Sequence, residues 1–108
     1  MDICEAKKIL CYVEKVSFTK HFQAKSAIRG IDHKDISALL ASHDRLIDAE
    51  DQGEDDKGHK YALLFSKSNK YDLRVIVSIK GGNLNVITAH FQNIKRRKAY
   101  EKWLGKRR

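Results

Sequence analysis

The stretch DLRVIVSIKGGNLNVITAHF, residues 72–91, decides the fold of this chain. Its first half has aliphatic residues at positions 73, 75, 77 and 79, which is the period of a β-strand with one buried face. The turn residues Gly81, Gly82 and Asn83 separate it from a second run that is rich in β-branched residues. The pattern predicts a β-hairpin with strands Asp72–Lys80 and Leu84–Phe91.

The length of the hairpin loop decides which side chains face each other. A two-residue loop, Gly81–Gly82, would pair Arg74 with Ala89 and put His90 on the other face, because side chains alternate along each strand. A three-residue loop would instead place Arg74 opposite His90. We favour the three-residue loop, because it gathers the apolar residues on one face and leaves the polar residues on the other.

Three helices are expected before the hairpin. Apolar residues at three-to-four spacing predict a first helix from about Asp2 to Lys15. Thr19 can cap a second helix, and Gly30 can end it in the left-handed conformation. Asp32 can cap a third helix, which should fade near Ser42 to Asp44.

The remaining segments complete an alternating pattern of strands and turns. Arg45–Ala49 is expected to be a short strand, and Glu50–Asp56 an exposed acidic loop, because its repelling carboxylates cannot be buried. His59–Ser66 alternates like a strand. Asn93 can cap a last helix over Ile94–Leu104.

These elements predict an α+β fold, with N-terminal helices followed by an antiparallel sheet of about four strands and a basic C-terminal helix. A chain of 108 residues suits one domain, and it has no proline and no low-complexity stretch that would mark a linker. We therefore expect a single domain over residues 1–108.

The charge of the chain is concentrated at two places. The net charge is +8, and residues 94–108 alone carry eight basic residues against one acid, a net +7. Residues 48–56 carry six acids. A basic segment of this kind favours a polyanionic partner, with RNA as the first candidate. The alternative is a solvated helix with a frayed basic tail.

Several classes of protein do not fit the sequence. The first ten residues are interrupted by charges, unlike a signal peptide, and no apolar run is long enough to span a bilayer. The histidines and the cysteines Cys4 and Cys11 do not have the spacing of a metal site. We expect a cytoplasmic protein with free thiols, no membrane contact, no metal and no cofactor.

A series of short motifs occurs in order along the chain, namely Thr19–Phe22, Ile28–Ile31, Asp35–Leu40, Gly58–Tyr61 and Val86–His90. Together with the basic segment that follows, they resemble the barnase, EndoU, colicin and RelE-like superfamily of small metal-independent ribonucleases, especially its toxin-like members. The resemblance implies a RelE- or barnase-like fold, activity on RNA and an acidic inhibitor or antitoxin protein as a partner. One departure is Lys25, where many relatives have an arginine, so the charge is kept without the bidentate geometry.

RNA cleavage without a metal needs a base, a cation for the phosphorane and an acid for the leaving oxygen. We predict His59, Arg74 and His90 as catalytic residues, since both histidines lie in segments that resemble the catalytic strands of the superfamily. The guanidinium of Arg74 would hold the phosphate. The structural alternatives are a loop position for His59 and a surface role for Arg74 on the sheet.

The predicted RNA-binding residues are those beside this site and those in the basic helix: His21, Lys60, Thr88, Lys95, Arg96, Arg97 and Lys98. Cations in the first turns of a helix are unfavourable for stability, so a phosphate-binding role explains the last four better. Three functions remain open. They are a metal-independent endoribonuclease acting by 2′-hydroxyl transesterification, a non-catalytic RNA-binding domain, and a small protein-interaction module.

Overall fold

The computed structural model describes residues 2–94, which form three helices and one five-stranded sheet. The α+β class is confirmed, and so is the position of three helices before the four antiparallel strands. The last predicted helix, Ile94–Leu104, lies outside the described residues except for its first position. The helices and strands run in the order α1 (Ile3–Cys11), β1 (Lys15–Phe18), α2 (Lys20–Arg29), α3 (His33–Ser42), β2 (Leu46–Asp55), β3 (Gly58–Ser66), β4 (Tyr71–Lys80) and β5 (Asn83–Asn93).

The predicted caps define α2 and α3. The Thr19 side chain accepts a hydrogen bond from the Phe22 N–H, and Gly30 ends α2 with φ of 67°. Asp32 caps α3 by accepting from the Lys34 N–H. These side chains satisfy backbone donors that have no partner inside the helix, so local sequence alone locates both helix starts.

The N-terminal prediction was wrong beyond Cys11. The helix ends there, and Lys15–Phe18 forms β1, which pairs in parallel with Asn83–Val86 of β5. The N–H groups of Glu14 and Lys15 both donate to the Gly82 carbonyl, which fixes the chain against the hairpin turn. The sheet is therefore mixed, with the order β1-β5-β4-β3-β2, and the predicted antiparallel strands make up four of its five members.

The acidic stretch is also different from the prediction. It is the second half of β2 and not a loop, because its backbone pairs with β3 as far as Asp55 and Gly58. The carboxylates stay exposed on an edge strand, and three of them contact side chains of β3 and β4: Glu50 contacts Arg74, Asp51 the His59 ring, and Asp55 Lys60. Because the carboxylates remain hydrated, solvent screens the repulsion that argued against a strand.

The β4–β5 hairpin reaches the predicted pairing by a different route. Lys80 pairs with Asn83, so the loop has two residues and the three-residue prediction was wrong. Gly81 adopts φ of 61°, which such a turn requires at its first position. A β-bulge then shifts the register between the Val77–Val86 and Ile76–Thr88 pairs, which leaves Ile87 as the extra residue and places Arg74 opposite His90.

The core lies between the helices and one face of the sheet. Phe22, Ile36 and Leu10 from the helices pack in one cluster with Phe65 and Val75 of the central strands. We call this side of the sheet the helix face and the opposite side the far face. None of the helices within residues 2–94 is long and apolar enough to cross a membrane.

Candidate functional site

The far face carries the residues that alternate with the core positions of β3, β4 and β5. At its centre Arg74 lies between Leu64 of β3 and His90 of β5. Directly opposite residues in an antiparallel pair have Cβ atoms about 4.5–5.5 Å apart. The two side chains therefore leave adjacent strands on the same face, and the guanidinium, which reaches over β3 towards β2, would turn towards β5 for both groups to contact one phosphate.

Arg74 also contacts an acid of the edge strand β2, on the other side of β3. Its Nη2 atom lies 3.8 Å from Glu50 Oε2, and the Glu50 side chain is 68% exposed. An exposed pair at this distance contributes little free energy. A phosphate can therefore displace Glu50 from Arg74 at small cost, and this acid is a competitor for the site.

The bulged part of β5 is held by α2. Strand β1 ends at Phe18 opposite Val86, and beyond that point the two ends of α2 bind the outer edge of β5. The Thr19 hydroxyl donates to the Ile87 carbonyl at 3.0 Å. At the other end of the helix, Arg29 Nη1 donates to Thr88 Oγ1 and to the Ala89 carbonyl, both at 2.9 Å.

Arg29 is a site residue that the sequence prediction missed. Its bonds to β5 bring a second guanidinium to the edge of the far face, two residues along the strand from His90. An arginine in the last turn of a helix is ordinarily explained by the helix dipole. The one signal in the sequence that could have identified Arg29 as a site residue is its position in the Ile28–Ile31 motif, directly before Gly30.

His59 does not join Arg74 and His90. It pairs with Ile79 on the helix face, five residues along β4 from Arg74, which is about 17 Å at 3.3–3.4 Å per residue. The His59 ring stacks on Tyr61, with centroids 4.6 Å apart, and its Nε2 atom lies 2.5 Å from Asp51 Oδ1. The predicted three-residue catalytic set is therefore divided between the two faces of the sheet.

Local hydrogen bonds around Asp51 stabilise its charged form. The Gly53 N–H and then the His59 ring lower the pKa of the Asp51 carboxyl below its usual value. Burial, followed by the charges of Asp51 and Glu54, raises the pKa of Tyr61. The His59 cluster is thus an acidic environment, which does not favour a phosphate.

The other predicted residues lie at the margins of the site. Lys60 is on the far face but opposite Ser78, about 13 Å along the strand from Arg74, and its Nζ atom is 2.9 Å from Asp55 Oδ2. That contact, followed by a backbone hydrogen bond from Lys57, lowers the pKa of Asp55. His21 is exposed in the first turn of α2. The predicted cations of the basic segment lie outside the described residues: Lys95, Arg96, Arg97 and Lys98.

Two further groups bear on the chemistry. Cys4 and Cys11 are exposed free thiols on α1. Within residues 2–94, no group of three or more histidine, cysteine or acidic side chains is placed so that it could hold a metal ion. The described site brings together guanidinium, imidazole and hydroxyl groups, with the Glu50 carboxylate against Arg74.

Comparison with protein families gives a match over most of the chain. The model described as "Domain of unknown function (DUF4258)" matches residues 18–91. The chain belongs to this family. The DUF4258 region begins at the end of β1 and includes α2, α3 and most of the sheet, so Arg29, Arg74 and His90 all lie inside it. No curated protein and no solved structure matches the chain.

Proposed function

We propose that this protein binds RNA on the far face of its sheet and cleaves it there without a metal, as a small toxin-like endoribonuclease. The observation that carries the proposal is the cross-strand pair of Arg74 and His90 beside the anchored Arg29. The resemblance to the barnase, EndoU, colicin and RelE-like superfamily supports the same chemistry. A cytoplasmic location and an acidic inhibitor protein belong to this proposal.

The reaction is an internal transesterification. The His90 imidazole takes the proton of the ribose 2′-hydroxyl as the 2′-oxygen forms a bond to phosphorus. The bond between phosphorus and the 5′-oxygen breaks, and the 5′-oxygen takes a proton from solvent. The products are a 2′,3′-cyclic phosphate and a free 5′-hydroxyl.

Arg74 stabilises the charge that develops on the phosphorane. A guanidinium presents two parallel N–H groups to two phosphate oxygens, which a lysine cannot do. Removing one donor of this kind typically costs about 10²- to 10³-fold in rate. The Thr88 hydroxyl accepts from Arg29, so its own O–H can donate to the same phosphate.

A second candidate is a non-catalytic RNA-binding domain. The position of His59 on the other face favours it, since only one of the two predicted histidines lies beside Arg74. The binding surface is the same in both cases. The two candidates differ only in whether the 2′-hydroxyl reacts.

A product assay separates them. We expect the protein to convert single-stranded RNA to fragments ending in a 2′,3′-cyclic phosphate in the presence of a chelator. The matched 2′-O-methyl RNA should bind equally and remain intact, because it has no nucleophile. Binding of both RNAs with no fragments would leave the non-catalytic domain, and absence of binding would overturn both.

A further inference from the structure

The outer surface of α2 is basic along its whole length. The helix carries Lys20, Lys25 and Arg29 with no acidic residue, and all three side chains are exposed. By contrast, α1 contains Glu5 and α3 contains Asp35. No acid on α2 offsets these charges, and a polyanionic ligand would use all of them.

Three exposed side chains form a row along α2. His21, Lys25 and Arg29 are four residues apart, so they lie on one side of the helix at intervals of about 6 Å. Phe22 and Ser26 are buried and hold the other side of the helix in place. The exposed row ends at Arg29, which is bonded to β5 next to Thr88.

Arg29 connects this row to the far face. Its Nη1 atom makes both bonds to β5, and the edge formed by Nε and Nη2 has no hydrogen-bond partner among the described residues. This edge has the geometry that matches two oxygens of a phosphate. Because one amino group is already fixed, the guanidinium would lose little freedom when it binds an anion.

We propose that the backbone of a bound single-stranded RNA leaves the Arg74–His90 pair over the edge of β5 and continues along α2. Arg29 binds the phosphate at the crossing, and Lys25 binds one farther along the helix. This path rests on the proposed function, since it assumes RNA on the far face. It assigns binding roles to residues that the sequence prediction did not include.

The test uses the intact protein with 2′-O-methyl oligonucleotides, which cannot be cleaved, of about 4 and about 12 nucleotides. Lys25→Ala should weaken binding of the long oligonucleotide severalfold and leave the short one unchanged. It should also reduce the slope of log K against log salt by about 0.7, the value for one contact to a single strand. Lys8→Ala, an exposed lysine on α1, is the matched control and should change neither.

Arg29 is tested in the same way with two variants. Arg29→Ala and Arg29→Lys should both weaken both oligonucleotides, because lysine keeps the charge and loses the fork. Wild-type affinity in Arg29→Lys would overturn the proposed two-point contact between the Arg29 guanidinium and a phosphate. Equal behaviour of the Lys25 and Lys8 variants would overturn the path along α2. Failure of the wild-type protein to bind either oligonucleotide would instead remove the proposed function.

Discussion

Substitution of Gly58 by alanine should destabilise the fold in two ways, by backbone strain and by a steric clash with a neighbouring strand. Its φ is 128°, and a Cβ atom there would lie 2.6 Å from the Ile79 carbonyl oxygen. Gly81 also has positive φ, 61°, but a Cβ atom there meets nothing within 4 Å. Alanine at either position strains the backbone, and only at Gly58 must it also push a neighbouring strand.

The expected magnitudes follow from these contacts. A left-handed conformation costs an L-residue about 1–2 kcal/mol, which applies to Gly81→Ala. For Gly58→Ala the backbone strain of about 1–3 kcal/mol is joined by overpacking of about 1–3 kcal/mol. The entropy that alanine removes from the unfolded chain is the same in both and cancels in the comparison. We expect Gly58→Ala to be less stable than Gly81→Ala by about 2 kcal/mol.

Urea unfolding followed by circular dichroism measures this difference directly, and thermal unfolding should show a Tm lower by about 8 °C or more. The loss should extend to the β2–β3 turn, because Ser78 donates from its hydroxyl to the Lys57 carbonyl beside Gly58. Equal destabilisation by the two substitutions would refute the close approach of this turn to β4.

Three other changes have defined outcomes. Asp51→Asn should lower the urea midpoint of unfolding above about pH 5 and should match the wild type as the pH falls below 3.8. The reason is that a carboxyl with a lowered pKa stabilises the fold only while it is ionised. A constant difference in urea midpoint at all pH values would contradict this. Glu50→Gln should raise RNA affinity up to severalfold at low salt by releasing Arg74, whereas Glu54→Gln on the helix face should raise it less. Alanine at the three cations 95–97 should weaken RNA binding and flatten its salt dependence, and unchanged affinity would remove that segment from the binding surface.

Local signals in the sequence were sufficient for the caps and for the central strands. Thr19, Gly30 and Asp32 act through backbone groups within a few residues of themselves, so their effect can be read from neighbouring positions. The alternation in β3 and β4 reports burial on one face in the same way. These elements agree with the prediction to within a residue or two.

The parts that failed depend on distant partners. β1 exists because Lys15–Phe18 pairs with a strand almost 70 residues later, and a four-residue segment carries too weak a period to show this. The bulge at Ile87 restores the Arg74–His90 pairing, which a two-residue loop alone would not allow. An isoleucine at that position does not indicate a bulge. Arg29 has its acceptor in Ala89, 60 residues away, so its role could not be predicted from sequence position.

The decisive measurement compares the two histidines that the sheet separates. We expect His90→Ala to slow the formation of 2′,3′-cyclic phosphate from single-stranded RNA by at least about 10²-fold, the usual contribution of a general base. His59→Ala on the helix face should retain the wild-type rate within about threefold, with both variants assayed at a temperature at which circular dichroism shows them to be folded. Loss of cleavage in His59→Ala with full activity in His90→Ala would contradict the assignment of the far face as the active site.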